Sequence, residues 1–183
     1  MDMHWIMCGE AEHQLSGEQG QLLRDPALTR KGIQAVSALK LELSLSSDDA
    51  IVTGTVKRLL QTASLLGSGS GCGLFVHPLA GPRQHPFIYD FRTMPCDRPM
   101  EPERIVKEYP EMLPAPGLPE PLWLQGTHTM PGPLFAQQAE RFVDWCRSLN
   151  TARLFVVTET GTIKAFQTLK LRASQPALPT LAE

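Results

Sequence analysis

The chain has 183 residues, a usual length for one folded domain. Its formal charge is −2, with 17 Lys and Arg against 19 Asp and Glu, which argues against a nucleic-acid partner because nucleic-acid-binding modules are usually basic. No apolar run approaches the ~18–20 residues that a membrane span needs, and the first residues lack the basic and apolar pattern of a secretion signal. We therefore expect one soluble, cytoplasmic domain over residues 1–183, with no membrane partner.

Short apolar runs alternate with amphipathic segments along the chain. The predicted strands are residues 4–7, 51–53, 74–76 and 153–158. The predicted helices are residues 29–43, 56–66, 135–149 and 161–170. A proline-rich insertion at about 78–133 predicts loops with short helices at most. This order predicts a three-layer α/β/α domain with a mainly parallel sheet, whose ligands bind beyond the carboxyl ends of the strands.

The cysteine and histidine pattern predicts neither a metal site nor a disulfide framework. The four cysteines form no C-x-x-C pair, so we expect reduced thiols. His4, Cys8 and His13 are close in sequence, but positions four apart on a strand are separated by about 13 Å, too far to share one ion. The glycine-rich segment 67–73 lacks the Lys-Ser/Thr ending of a phosphate-binding loop. We expect no metal and no cofactor.

Four motifs at the predicted junctions resemble those of the histidine phosphatase superfamily, which includes the phosphoglycerate mutases. Residues 7–10, MCGE, stand where that family has R-H-G-[EQ], and residues 28–35, LTRKGIQA, resemble its L-T-x-x-G-x-x-Q-A helix start. Residues 53–63, TGTVKRLLQTA, resemble S-S-P-L-x-R-A-x-Q-T-A, and residues 155–164, FVVTETGTIK, resemble V-V-x-H-G-G-x-I-R. The motifs keep the family's order, so the resemblance implies a phosphoglycerate mutase-like fold, here with a shortened C-terminus.

The departures from the family fall on the residues that carry its chemistry. In the family, the first-motif histidine attacks phosphorus and forms a phosphohistidine, while two arginines and a late histidine surround the phosphate. The resemblance places Cys8 at the nucleophile, Met7 at the first arginine and Glu159 at the late histidine. Arg58 is the pocket arginine that remains.

Two further positions follow from the resemblance. Lys164 stands where the family has a helix-borne arginine, and Asp90 is the nearest candidate for its proton-donating carboxylate. The candidate catalytic positions are therefore Cys8, Arg58, Glu159 and Asp90. The candidate ligand-binding positions are Met7, Gly9, Glu10 and Lys164.

Charge decides what such a pocket can hold. A phosphate monoester carries about −1.5 to −2 charges at neutral pH, whereas these positions offer a neutral or negative set. We therefore expect a degenerate histidine phosphatase that lacks phosphohistidine chemistry and binds a small molecule or a protein partner, as a monomer or homodimer. Three alternatives stay open: altered acid–base chemistry using Glu159 with Glu10, His13 or Asp90, a residual phosphomonoesterase relying on Arg58, and Cys8 as a substitute nucleophile.

The sequence also predicts how Glu159 is satisfied. It follows an apolar strand and precedes a helix that we expect to open at Gly161, so its carboxylate is expected to cap the first amides of that helix. We also expect it to form a bidentate salt bridge with Arg58, in the volume that a phosphate would otherwise occupy.

Overall fold

The computed structural model describes residues 2–87 and 92–169. Its strands are β1 (Asp2–Met7), β2 (Ala50–Thr53), β3 (Gly73–Val76), β4 (Leu113–Pro114) and β5 (Arg153–Thr158). Its α-helices are α1 (Gly17–Gly20), α2 (Arg30–Leu43), α3 (Lys57–Gly67), α4 (Pro102–Glu108), α5 (Glu120–Gln125), α6 (Gly132–Ser148) and α7 (Thr160–Thr168). None of these helices is long and apolar enough to cross a membrane.

The sheet has the order β1-β5-β2-β3-β4, and every neighbouring pair is parallel. Side chains alternate between its two faces, so Leu154 and Val156 of β5 pack in one core while Phe155 and Val157 pack in the other. The first core receives aromatic side chains from α6 and α7, and the second receives aliphatic side chains from α2, α3 and α4. The predicted three-layer α/β/α fold with a parallel sheet is confirmed.

The proline-rich insertion contains short helices, as the sequence predicts, and one strand that it does not predict. It holds α4 and α5, and its residues Leu113 and Pro114 form β4, an edge strand beside β3 that no sequence pattern indicated. A proline is tolerated there because an edge strand needs no hydrogen bond on its outer side. The predicted shortening of the C-terminus concerns residues 170–183, which lie outside the described residues.

The sheet order places three chain segments side by side. β5 lies between β1 and β2, so the carboxyl ends of these three strands meet at one edge. Cys8 extends the pairing beyond β1, because its N–H donates to the carbonyl of Thr158 at 3.0 Å. The segment that follows β2 enters α3, which carries Arg58. The fold thus brings the first, third and fourth motifs together.

Candidate functional site

Arg58 is the centre of the site, and its guanidinium donates hydrogen bonds to other groups of the protein. Its side chain is fully buried. Its Nε donates to Oε1 of Glu159 at 2.5 Å, its Nη1 to the carbonyl of Cys96 at 2.6 Å, and its Nη2 to Oδ1 of Asp97 at 2.6 Å. Each nitrogen of the guanidinium therefore has a protein acceptor.

The predicted salt bridge between Arg58 and Glu159 is present, but its predicted form is wrong in two respects. The pair is not bidentate, because Glu159 engages only Nε and the other arm of the guanidinium is taken by Asp97. The carboxylate also does not cap α7: the helix begins at Thr160, Glu159 is its N-cap residue, and its side chain makes no capping hydrogen bond. The attraction of a buried guanidinium outweighs the partial charge of a helix terminus.

Asp97 belongs to a segment that covers Arg58. We call residues 92–100 the covering segment; it contains a short 3-10 turn at Pro95–Asp97 and is fixed to the core by a hydrogen bond from the N–H of Met100 to the carbonyl of Thr55 at 2.9 Å. The second carboxylate oxygen of Asp97 lies 3.6 Å from Nδ1 of His128. Sequence reasoning missed Asp97, because nothing in a proline-rich stretch indicates which buried cation it will meet.

Two carboxylates share the one guanidinium. Burial raises the pKa of Glu159 above its ordinary value, and the Asp97 carboxylate adds to this rise, while Arg58 opposes it. The same two carboxylates raise the pKa of Arg58, so its charge is permanent despite burial. The cluster therefore carries no spare positive charge for an incoming anion.

Cys8 is a poor nucleophile in this setting. Burial raises the pKa of its thiol to about 12, with a further contribution from the charge of Glu159. The reactive form of cysteine is the thiolate, which is scarce at neutral pH when the pKa is that high.

A cavity of about 500 Å³ lies beside these groups. Its walls include Met7, Cys8, Glu10, His13, Lys31 and Glu159. Four of the eight predicted site residues thus surround one space. Arg58 does not line it, since the side chain is buried behind Glu159.

The other predicted site residues lie elsewhere. Gly9 is buried and donates its N–H to the Thr62 hydroxyl at 3.2 Å, so it serves the packing of β1 against α3. Lys164 is exposed on α7 and does not line the cavity. Asp90 lies outside the described residues.

Glu10 and His13 have different partners within the cavity. Glu10 accepts a hydrogen bond from the Thr29 hydroxyl at 2.7 Å, which lowers the pKa of its carboxyl and ties it to the start of α2. His13, which the sequence offers as an acid–base candidate, lines the cavity. Burial lowers the pKa of His13, with a smaller contribution from Arg58, so the ring is neutral at pH 7. Within residues 2–87 and 92–169, no group of three or more His, Cys, Asp or Glu could hold a metal ion.

Comparison with models of known protein families and with curated proteins finds no match. Solved structures do match. The ecdysone phosphate phosphatase of Bombix mori, solved in complex with tungstate, aligns with a TM-score of 0.59 at 12% identity, over 97% of this chain and 82% of that chain. Bacillus stearothermophilus YhfR gives 0.57 at 18% identity, over 98% and 87%. The alpha-ribazole phosphatase of Shigella flexneri gives 0.53 at 18% identity, over 89% and 76%.

These neighbours belong to the histidine phosphatase superfamily, and the likeness shows that this chain has their fold.

Proposed function

We propose that this chain is a histidine-phosphatase-fold protein without phosphohistidine phosphatase activity, which binds a small molecule or a protein partner at the former phosphate pocket. The observation that carries the proposal is the state of Arg58. Glu159, Asp97 and the Cys96 carbonyl occupy all three of its nitrogens inside the protein. Because the Arg58 side chain is also fully buried, a phosphate would have to displace at least one of these acceptors to reach the guanidinium.

The residue at the nucleophile position supports the same conclusion. A phosphohistidine requires an imidazole at the end of β1, and the residue there is Cys8. The pKa of its thiol, raised to about 12, keeps it protonated at neutral pH. Burial and the neighbouring Glu159 carboxylate therefore oppose both formation of the thiolate and approach of an anionic phosphate.

Electrostatics disfavours a phosphate in the cavity as well. Glu10, Glu159 and Lys31 all line it, and the charge of Lys31 is already shared with Glu10 at 3.4 Å. Two like unit charges 4 Å apart repel by about 4 kcal/mol at an effective dielectric of 20. The cavity volume of about 500 Å³ lies within the range of ~300–1,000 Å³ that is usual for small-molecule sites. A neutral or cationic ligand fits these walls better than a phosphate does.

An aryl phosphate assay tests the proposal. We expect the wild-type protein and the Cys8→Ala variant to give the same background rate with p-nitrophenyl phosphate, measured beside the Bombix mori phosphatase as the active reference. Cys8→His alone should also stay at background, because Met7 supplies no guanidinium and Glu159 still opposes the anion. The triple change Met7→Arg, Cys8→His, Glu159→His should raise the rate. Wild-type turnover that Cys8→Ala abolishes, with a trapped phosphorylated intermediate, would contradict the proposal.

Altered acid–base chemistry is the second candidate, and one observation favours it. His13 and Glu159 line the same cavity, and burial shifts the pKa of each toward its neutral form. An imidazole with a lowered pKa and a carboxyl with a raised pKa can exchange protons with a ligand that carries no phosphate. Consumption of a metabolite from a mixture by wild-type protein, lost in both Glu159→Gln and His13→Ala, would favour this candidate over simple binding.

A further inference from the structure

A second cavity, of about 710 Å³, lies outside the former phosphate pocket and shares no lining residue with it. We call it the arginine cleft, because Arg24, Arg92 and Arg98 all line it. Glu101 is the one acidic residue among its described walls. In a chain whose formal charge is −2, this concentration of guanidinium groups in one concave space is the reverse of the overall balance.

Two of the three walls of the arginine cleft are fixed against each other. The first wall is the loop around Arg24, and the second is the covering segment, which carries Arg92 and Arg98. The N–H of Cys96 donates to the carbonyl of Gln21 at 3.2 Å and joins them. A salt bridge of 2.5 Å between Asp25 and Arg104 fixes the first wall to α4.

The third wall is residues 124–129, and a buried arginine anchors it. Nη1 of Arg83 donates to the carbonyls of Thr127 and Met130 at 2.6 and 2.8 Å. Gly126 in this wall has a φ of +63°, and a Cβ built on it would lie 3.1 Å from Cγ of Pro99 in the covering segment. The cleft is therefore built on backbone that internal bonds and close packing hold in place, so a ligand pays little ordering cost on entry.

We propose that the arginine cleft binds an organic ligand that carries two or more phosphate groups. A guanidinium presents a planar set of donors that matches phosphate oxygens, and it stays charged at every physiological pH. Arg24 also lies 3.6 Å from Asp25, and Glu101 is among the walls, so a single phosphate gains little net attraction. A ligand with two or more phosphates can contact Arg24 and Arg98 at once. Met94, Pro95, Pro99 and Leu124 supply apolar surface for the organic part.

This proposal does not depend on the fate of the former phosphate pocket. The covering segment takes part in both places, since its Cys96 and Asp97 bind Arg58 while its neighbours line the arginine cleft. Cys8, Arg58 and Glu159, the described members of the candidate catalytic set, do not line the cleft, so we infer binding without hydrolysis.

Isothermal titration at low salt tests the proposal with ADP as the probe, and with pyrophosphate and adenosine as its two parts. We expect ADP to bind more tightly than either part. The double variant Arg24→Ala, Arg98→Ala should bind ADP at least tenfold more weakly. Arg141→Ala, an exposed arginine on α6 away from the cleft, should bind as wild type does. All these arginines are exposed, and unchanged melting temperatures would show that the variants are folded.

Three results would overturn the proposal. One is no binding of ADP by the wild-type protein, and another is ADP binding that the double variant leaves unchanged. Pyrophosphate binding as tight as that of ADP would show that the cleft does not recognise the organic part of the ligand, which contradicts the proposal. In the second case, an ADP affinity that also rises in Glu159→Gln would place the ligand in the cavity beside Glu159 instead.

Discussion

The cluster around Arg58 and the arginine cleft hold opposite arrangements of the same chemical groups. In the cluster, one arginine is fully buried and its nitrogens bind two carboxylates and a carbonyl of the protein. In the cleft, three exposed arginines line a larger space with one carboxylate. Arg24 and Arg98 are exposed at the cleft whereas Arg58 is buried, and we expect this difference in exposure, rather than a place in a motif, to determine which guanidinium binds an anion.

The largest expected effect is a difference in stability between variants of Arg58 and Arg98. We expect Arg58→Ala to lower the free energy of unfolding by about 3 kcal/mol, because it leaves two largely buried carboxylates without a partner. Arg98→Ala should change it by no more than about 0.5 kcal/mol, as is usual for an exposed side chain. Urea denaturation of both variants measures the difference. Equal, small losses would mean that the charges at Arg58 are already well solvated.

The second effect concerns anion affinity in the pocket. Glu159→Gln removes a repulsive charge from the cavity and leaves Nε of Arg58 with a neutral amide oxygen, which is a weaker acceptor than a carboxylate. We expect tungstate affinity to rise at least tenfold, equivalent to about 1.4 kcal/mol. Glu140→Gln, an exposed carboxylate on α6, is the matched control and should change nothing. Tungstate titrations that give the same affinity for both variants would sink the idea that Glu159 blocks the pocket.

Salt should weaken ligand binding at the cleft more than it weakens the ion pairs of Arg58, and this difference should be smaller than the two effects above. Exposed charges are screened beyond about 10 Å at 0.1 M salt and about 3 Å at 1 M, whereas buried pairs are screened much less. We expect ADP affinity to fall several-fold between 50 and 500 mM NaCl, while the stability loss caused by Arg58→Ala stays nearly constant over the same range. A stability loss that disappears at high salt would show that water reaches the pair.

The pH dependence gives the smallest effect, and its sign follows from the direction of the shift. The pKa of Glu159 is raised in the folded protein. A carboxyl of this kind stabilises the fold most when protonated, and that stability is lost as the pH rises through the raised pKa. Relative to Glu159→Gln, the wild-type protein should therefore become less stable between pH 5 and pH 8. Urea unfolding at the two pH values measures this difference. A wild-type protein whose free energy of unfolding rises relative to that of Glu159→Gln between pH 5 and pH 8 would contradict the prediction.

The sequence predicts which residues lie at the strand ends, but it does not predict the contacts of the covering segment. The positions of Cys8, Arg58 and Glu159 follow from β1, β2 and β5, whose apolar runs and flanking motifs are local signals. The contacts of Cys96 and Asp97 depend on the path of a long insertion, which is decided by tertiary contacts such as the bond from Met100 to Thr55. No local pattern records that path.

The sequence is sufficient to predict that the side chain of Lys164 points away from the core. Thr162, Ala165 and Phe166 form the buried stripe of α7, and helical spacing places Lys164 away from it. The resemblance to a family motif drew attention to the position of the residue, whereas periodicity along the helix gives the direction of its side chain.

A crystal structure of the wild-type protein soaked in tungstate would show whether an anion can reach Arg58. We predict that Arg58 keeps its contacts with Glu159 and Asp97, and that no tungstate lies within hydrogen-bonding distance of its guanidinium. A tungstate bound to Arg58, with the Glu159 carboxylate displaced from Nε, would contradict the claim that the protein fills its own phosphate site.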